Sequence, residues 1–534
     1  MLKHFAARAL ARRKNPDPTD IKGKGKAAKG GFVQSSLAGH SALGLALGAL
    51  VYIVCFTGTL SVFAEDLSRW EWAGTAETPE LPAAAIDAAM ATGLERAVAQ
   101  AGGVDKVIAL YGQLPRPDWP HMAVHAFTAG GGSVMWRAAA DGTLSPTPSD
   151  NWTDVMGEVH MELSLPGLWG PLTVGLVGIA LLSLLFSGVL SHPRIFRDAF
   201  ALRLTGARRL GLADLHNRLS VWGLPFHLGI TITGLIFALA GVMLLTVAQV
   251  GFKGDTTRAA APLSGPEIAA DPTPAPMPSV ALLQQRVEEA MPGSHRTTRF
   301  LYIERPGTAG QSVMMDMGRY DGLAQGDRYY LNAKGDLVTP SGFIGGPVGK
   351  RVYAAALALH CATFGGLAVR LVYGVLGLAL SVICATGCSI FLARRRDRGR
   401  ALPRLEKVWA GVAWGVPLAM ALSAATTLVP GLANEHAYVR GFWAPTLILP
   451  ILSLALASGE QASRVLRLAL GLVLVILAGT HAAGHATGQW GDGPLPAAAL
   501  VVDAVLAVTG LALTVTTGLL RRSRALAAQA HPAP

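Results

Sequence analysis

Charged residues are scarce in this chain. Only 15% of its 534 residues are Asp, Glu, Lys or Arg, whereas 51% are hydrophobic. The apolar residues gather in several runs of about 20 residues or more, which is the length that a helix needs to cross a bilayer. This composition excludes an ordinary soluble domain and predicts a polytopic, mainly α-helical membrane protein.

Cysteines are also few: the chain has four, at positions 55, 361, 384 and 388. All of them lie in or beside apolar stretches, so no disulfide framework is indicated. Cys384 and Cys388 share a helix face at i,i+4. This spacing is compatible with a metal-binding pair but is more typical of small packing residues in a membrane span.

Acidic residues are outnumbered, 34 against 45 Lys and Arg, and the net charge is +11. The basic residues collect in short segments before the first predicted span and after the second, the fourth ("RRRDRGR") and the eighth ("RRSR"). Such segments mark cytoplasmic loops, so both termini are placed in the cytoplasm and nucleic acid is not expected as a partner. No cleavable signal peptide is expected, because the first apolar run is long and follows a basic cytoplasmic tail at residues 1–36.

Eight spans are predicted, at 37–63, 168–190, 220–250, 367–392, 406–428, 441–458, 465–484 and 497–519. With helical extensions on the outer side, the second and fourth spans become 159–191 and 353–393. The last four spans form an additional unit at 405–520. A cytoplasmic loop at 192–219 and a cytoplasmic tail at 521–534 complete the inner side.

Two long hydrophilic segments, 64–158 and 251–352, interrupt the first four spans and fall on the outer, periplasmic side. Each is predicted to be a small α+β module with a helix, two extended segments and a hairpin that has a polar glycine turn. A proline-rich linker, "PLSGPEIAADPTPAPMP", precedes the helix and strands of the second module and is not expected to have regular structure.

The spans repeat as well. His40 in span one and His216 before span three are each followed, after 17 residues, by a Thr-Gly pair. The glycines of "GLVGIALLSLLFSG" in span two recur at the same relative positions in "GVLGLALSVICATG" of span four. His160 and His360 precede the last glycine of these two stretches by 28 and 27 residues. The first four spans are therefore predicted to be two tandem copies of one helix, module, helix unit.

The four histidines pair by level in this topology. His40 and His216 lie at the cytoplasmic side, and His160 and His360 lie at the outer side. A four-helix bundle that offers imidazoles at matched heights is a common way to hold b-type haem, with one nitrogen on each axial side of the iron. The chain has no C-x-x-C-H run, so covalent attachment is excluded. Two b-type haems are predicted, with the four histidines as iron ligands.

Other residues are weaker candidates for this chemistry. Gly44 and Gly48 share one face of span one, where they either leave room for a flat macrocycle or only serve close helix packing. His227 lies inside span three without a counterpart in span one, so it is a packing histidine, a proton carrier or an additional ligand. His481 and His485 form an H-x-x-x-H pair near the outer end of span seven, where they bind a metal or a third haem, or only cap the span.

The histidine-bearing stretches resemble those of a known family. The segments "HSALGLALGAL", "DLHNRLSVWGLPF" and "HCATFGGLAVRLVYGVLGLALSVICATG", with the two modules, are similar to PepSY-associated transmembrane proteins, often labelled iron-regulated membrane proteins. This family includes inner-membrane ferric-siderophore reductases. The resemblance covers about residues 35–395 and leaves out the last four spans. It implies haem on the histidines at 40, 160, 216 and 360, and reduction of ferric chelates on the periplasmic side.

These features together predict an enzyme of the bacterial inner membrane that passes electrons through haem to a ferric siderophore or another ferric chelate. The electron donor, a quinol or a cytoplasmic reductant, stays open. Two rival functions are a non-enzymatic protein whose PepSY-like modules bind or regulate a periplasmic partner, and a permease for metal chelates. A non-enzymatic protein whose spans serve only as a membrane anchor would not need histidines in matched pairs. A permease would be expected to have broken helices with polar residues at the membrane midplane.

Overall fold

The computed structural model is mainly helical and carries one β-sheet. It describes residues 18–72, 74–146, 151–192, 194, 200, 208–261, 265–266, 268–290, 297–318, 323, 326–339, 346–429, 431–490 and 495–530. The beginning of the predicted basic tail, much of the predicted loop at 192–219 and the last four residues lie outside this part of the chain.

Sixteen helices and eight strands can be numbered in chain order along the described residues. The helices are α1 (Pro18–Ser61), α2 (Ala64–Glu71), α3 (Ala83–Ala101), α4 (Trp152–Glu162), α5 (Trp169–Ser191), α6 (Arg208–Trp222), α7 (Leu224–Ala238), α8 (Ala240–Gly251), α9 (Thr256–Ala260), α10 (Val280–Ala290), α11 (Val348–Cys361), α12 (Gly366–Asp397), α13 (Pro403–Ala425), α14 (Glu435–Leu452), α15 (Gly459–Ala486) and α16 (Ala497–Ala530). The strands are β1 (Val107–Gln113), β2 (Met122–Thr128), β3 (Ser133–Ala138), β4 (Leu144–Pro146), β5 (Thr297–Glu304), β6 (Ser312–Gly318), β7 (Gly326–Leu331) and β8 (Leu337–Thr339).

Among the described helices, seven are long and apolar enough to cross a membrane, or eight if one bent pair counts as a single span. The prediction of a multi-pass membrane protein is therefore confirmed. Seven of the predicted spans correspond to single helices, namely α1, α5, α12, α13, α14, α15 and α16.

The third span differs from the prediction. Instead of one helix over 220–250, α6 and α7 meet at Gly223 with a bend of 67°, and the apolar stretch continues as the separate helix α8. Pro225 explains the break, because a proline has no N–H to donate and its ring clashes with the preceding turn. As a consequence, His216 lies within the first arm of the bent pair and not before the span.

The first four spans pack side by side. α1 contacts both α5 and α12, α7 contacts α5, and α6 contacts α12. In this packing Gly44 faces Leu184 of α5, and a Cβ at Gly48 would lie 2.9 Å from the Cys388 Sγ of α12. Both glycines therefore allow close contact between α1 and its neighbouring helices.

The two predicted modules form one antiparallel sheet, in the order β4-β3-β2-β1-β5-β6-β7-β8. The first strands of the two modules, β1 and β5, pair at its centre, where Tyr111 lies opposite Tyr302. This pairing removes one exposed edge from each module. Helices α3 and α10 cover one face, and the Asp87 side chain of α3 accepts a hydrogen bond from the backbone N–H of Val280 at the start of α10 (2.7 Å).

Ion pairs fasten the sheet to the spans through α2, the helix that follows the first span. Glu65 accepts a hydrogen bond from Arg116 of the β1–β2 connection (3.3 Å). Asp66 accepts one from Arg370 near the start of α12 (2.8 Å). The four last helices pack on this assembly: α13 contacts α1 and α12, α14 contacts α4, and α16 contacts α2.

Candidate functional site

Each of the four histidines predicted as ligands lies against a turn of a neighbouring helix. His40 of α1 reaches α5, where its Nδ1 lies 3.1 Å from the carbonyl oxygen of Leu184 and 3.1 Å from the Oγ of Ser187. A Cβ at Gly188 would lie 3.4 Å from the His40 ring, so this glycine leaves room for the imidazole.

His216 of α6 makes the equivalent contacts with α12. Its Nδ1 lies 3.1 Å from the carbonyl oxygen of Ile383 and 3.2 Å from the Oγ1 of Thr386, with Gly387 beside the ring. Helices α1 and α6, which carry His40 and His216, both pack against α12.

His160 is positioned by α4, the helix that precedes the second span. Its Nδ1 donates to the carbonyl oxygen of Val54 in α1 at 2.9 Å. The ring lies directly over Gly58, where a Cβ would come within 2.5 Å of Cε1. Helix α4 ends three residues later, at Leu163 with φ 53°, and this left-handed residue turns the chain toward the second span.

His360 occupies the matching place on α11. Its ring bonds to α7 through the backbone of Ile230 and through the Oγ1 of Thr233, which lies 3.1 Å from Nδ1. A Cβ at Gly234 would lie 2.8 Å from the ring. The helix ends two residues later at Ala362, again with φ 53°.

The four acceptor turns share one sequence pattern: a residue whose carbonyl lies at the ring, Ser or Thr three positions later, and Gly four positions later. They are "VCFTG" at 54–58, "LLFSG" at 184–188, "ITITG" at 230–234 and "ICATG" at 383–387. Sequence reasoning used these glycines only to align the repeats and missed their contact with the histidines. The recurring Ser/Thr-Gly pair was the available signal.

The hydrogen bonds decide the ring tautomer. A backbone carbonyl only accepts, so Nδ1 carries the proton and, in a neutral imidazole, Nε2 carries the lone pair. Burial lowers the pKa of His160, and burial with the neighbouring His160 ring lowers the pKa of His360 to about 4, so both rings are neutral at pH 7. Metal-bound histidines typically donate their second N–H to a carbonyl in this way.

His160 and His360 face each other beside a cavity. Their ring centres are 6.2 Å apart and their planes differ by 20°. A metal ion held between two imidazole nitrogens, each at about 2 Å, places the ring centres roughly 6 Å apart, so the spacing fits ligation from both sides. The cavity has a volume of about 610 Å³, within the range of cofactor sites. Apolar side chains and bare glycines such as Gly178 and Gly377 form much of its wall.

Comparison with known proteins covers these same elements. Residues 37–394 match the family described as the PepSY-associated TM region. The chain belongs to this family. The matched region of this PepSY-associated protein begins in α1, ends in α12, and so includes all four histidines and the sheet. The chain is also similar to an uncharacterised protein of Pseudomonas aeruginosa, with 29% identity over 287 residues, which is 50% of this chain and 71% of the relative.

His227 of the PepSY-associated protein lies one turn after the bend at Gly223. It is completely buried; its ring approaches the backbone of Leu376 in α12, but neither ring nitrogen makes a well-formed hydrogen bond among the described residues. An unsatisfied buried polar group costs about 1–3 kcal/mol. His227 therefore stays a candidate for an additional ligand or for contact with a bound group.

His481 and His485 do not form a matched pair of ligands. In His481 both ring nitrogens already have protein partners, the carboxylate of Asp503 (2.8 Å) and the carbonyl oxygen of Trp70 (3.1 Å). His485 is partly exposed and lies outside this contact. Within the described ranges there is no group of three or more His, Cys, Asp or Glu arranged to bind a metal ion.

Proposed function

We propose that this PepSY-associated protein is a b-type haem oxidoreductase of the bacterial inner membrane that passes electrons to periplasmic ferric iron held by a siderophore or another chelate. The observation that carries the proposal is the repeated arrangement at His40, His160, His216 and His360. In all four rings, Nδ1 makes a hydrogen bond to an oxygen of a neighbouring helix. Nε2 is therefore the nitrogen that remains able to bind a metal.

The protein's contribution is to hold and orient these nitrogens. The carbonyl that accepts from Nδ1 fixes the ring and raises the basicity of Nε2. The glycine beside each ring lets the imidazole approach the helix backbone, as at Gly58 and Gly234. Haem bound between two such imidazoles supplies an iron that gains and loses one electron at a time. Apolar side chains form much of the wall of the cavity beside His160 and His360, so a group bound there would lie in a largely apolar environment.

The rival permease function gains one observation, the broken third span. Transporters of this kind have discontinuous helices at corresponding positions of their two halves. Here α1, the counterpart of the bent pair, is continuous from Pro18 to Ser61, and Pro225 accounts for the bend in the other half. The rival function as a membrane-anchored binding protein leaves the four matched histidine contacts without a purpose. The continuous α1 argues against the permease and the matched histidine contacts argue against the anchored binding protein, so both favour the oxidoreductase.

An absorption spectrum tests the cofactor. The full-length protein, produced with adequate haem supply and purified in detergent, is expected to show a Soret band and, after reduction with dithionite, sharp α and β bands. Extraction of the haem into pyridine is expected to give two haems per chain. A preparation without a Soret band would contradict the electron-transfer function.

Mixing reduced protein with a ferric chelate tests the reductase activity separately. Because the electron leaves the haem for the iron, the ferrous absorption bands are expected to disappear while ferrous iron accumulates and is trapped by a Fe²⁺-specific dye. The same chelate loaded with Ga³⁺ is the matched control, since it has the same charge and shape but accepts no electron. Equal rates of haem oxidation with the Fe³⁺ and Ga³⁺ forms would exclude reduction of that chelate and leave the haem assignment standing.

A further inference from the structure

The four C-terminal spans lie outside the family match, yet two of them, α13 and α14, contact the helix that carries His160. Helix α4 turns one side to Val54 and Gly58 of α1. Its buried apolar residues belong to a cluster that includes residues of α1, α2 and the C-terminal helices. The α4 members of this cluster are Trp152, Val155, Met156, Val159 and Leu163, and the C-terminal members are Val416, Ala419, Met420, Ala424, Tyr438, Phe442, Leu477 and Ala499.

A closed ring of hydrogen bonds joins helix α2 to the C-terminal helices α15 and α16. The indole N–H of Trp70 donates to Asp503 Oδ1 (2.8 Å), a second hydrogen bond joins Asp503 Oδ2 to His481 Nδ1 (2.8 Å), and His481 Nε2 donates to the Trp70 carbonyl oxygen (3.1 Å). The rings of Trp70 and His481 are also in contact, with centres 4.7 Å apart. All three residues are buried. The ring therefore fixes α2 against α15 and α16.

The next residue of α2 holds the start of α4. The carboxylate of Glu71 accepts hydrogen bonds from the backbone N–H of Trp152 (2.6 Å) and from the N–H (3.2 Å) and hydroxyl (3.0 Å) of Thr153. The carboxyl oxygens of Glu71 satisfy N–H groups that are free at the start of a helix, while burial raises the pKa of this carboxyl group to about 7. The orientation of α4, and with it His160, thus depends on the position of α2.

Within the part of the chain that the structure describes, helix α11, which carries His360, is held differently, with Tyr373 of α12 donating a hydrogen bond to the Leu359 carbonyl oxygen (2.8 Å). It packs on α7, and its buried residues Ala356 and Ala358 lie outside the apolar cluster that α4 shares with the C-terminal spans. The two halves of the bundle therefore hold their outer histidines in different ways.

We propose that the four C-terminal spans are a brace for α4, and that Trp70, Asp503 and His481 are positioning residues that fix His160. A polar network is suited to this task, because buried hydrogen-bonded pairs specify one arrangement of the elements that they join. The consequence for haem rests on the function proposed above, whereas the consequence for α4 does not.

Amide hydrogen exchange on the full-length protein tests the brace without reference to haem. In Asp503→Asn, exchange in α4 is expected to accelerate by about tenfold or more, while exchange in α11 stays unchanged. His485→Ala is the matched control, because His485 lies one turn from His481 on α15 but outside the hydrogen-bonded ring. Trp70→Phe, which removes the indole N–H donor together with part of the ring volume, is the second variant if Asp503→Asn does not fold.

Haem binding in the same variants provides the second measurement. Substitutions behind a ligating histidine typically lower metal affinity about 10–100-fold, so Asp503→Asn is expected to weaken the haem at His160 and His360 and to leave that at His40 and His216 intact. Unchanged exchange in α4, or equal acceleration in α4 and α11, would overturn the brace. If the wild-type protein holds no haem, the proposed function fails, and the exchange measurement still decides whether α4 is braced.

Discussion

Replacing His360 by alanine is expected to remove about half of the haem that the proposed function assigns to the protein, because one of the two proposed histidine pairs loses a member. His216→Ala is expected to do the same at the other pair, and the double variant is expected to be almost free of haem. Haem content per chain, measured after extraction into pyridine, checks these results. Free imidazole added to His360→Ala should restore part of the lost haem, since it can fill the space of the missing ring.

Two further substitutions sharpen this test. His436 lies on α14 and is exposed, so His436→Ala is the control for the effect of losing a histidine elsewhere in the chain. His227→Ala is expected to retain both haems if His227 only packs, and to lose one if it is an additional ligand. Unchanged haem content in both His216→Ala and His360→Ala would contradict the assignment of the four histidines.

The second large loss of haem is expected from a substitution at Gly58, a glycine that is not itself a proposed ligand. In Gly58→Ala the new methyl group would lie 2.5 Å from Cε1 of His160, which is too close for any non-bonded contact. The ring must move, and its hydrogen bond to the Val54 carbonyl oxygen is lost. The variant is expected to lose the haem at His160 and His360, so that haem content falls about twofold, much as in His360→Ala.

Gly188→Ala is the matched control for this prediction. Gly188 occupies the same place in its turn, but the added Cβ would lie 3.4 Å from the His40 ring, a distance that a small adjustment relieves. Both changes replace glycine by alanine within a helix and favour that helix by about 1 kcal/mol, so neither weakens helix formation. Spectra and thermal unfolding of the two variants should therefore separate steric displacement of a ligand from general destabilisation. Similar haem loss in both variants would refute the steric argument.

The strands show which features of the sheet can be predicted from the local sequence pattern and which cannot. Alternating apolar and polar residues predicted the extended segments within a few residues of their observed bounds, as at Val107–Gln113 and Ser312–Gly318. The same pattern did not indicate that the modules share a sheet. That outcome depends on β1 and β5 pairing across nearly 200 residues of sequence, and two free strand edges become partners only when the spans bring them together.

The bend in the third span could not be predicted from the sequence, for a different reason. Its sequence contains the cause of the bend, Pro225 two residues after Gly223, but a proline in an apolar run either kinks a helix or ends it. The length of the apolar run favoured one helix over 220–250, and the structure has three helices over this stretch. The packing of α6 on α12 and of α7 on α5 decides how the two arms separate.

The sequence by itself determined that this is a membrane protein of the PepSY-associated family, because membrane spans and their flanking charges follow from local composition, and the family from short motifs. It also contained the four histidines and the Ser/Thr-Gly turns as separate repeating features. Only the tertiary structure decided that each histidine meets one of these turns on another helix, and that the last four spans support α4. Such contacts join residues far apart in the chain, so they depend on how whole helices pack and not on any local pattern.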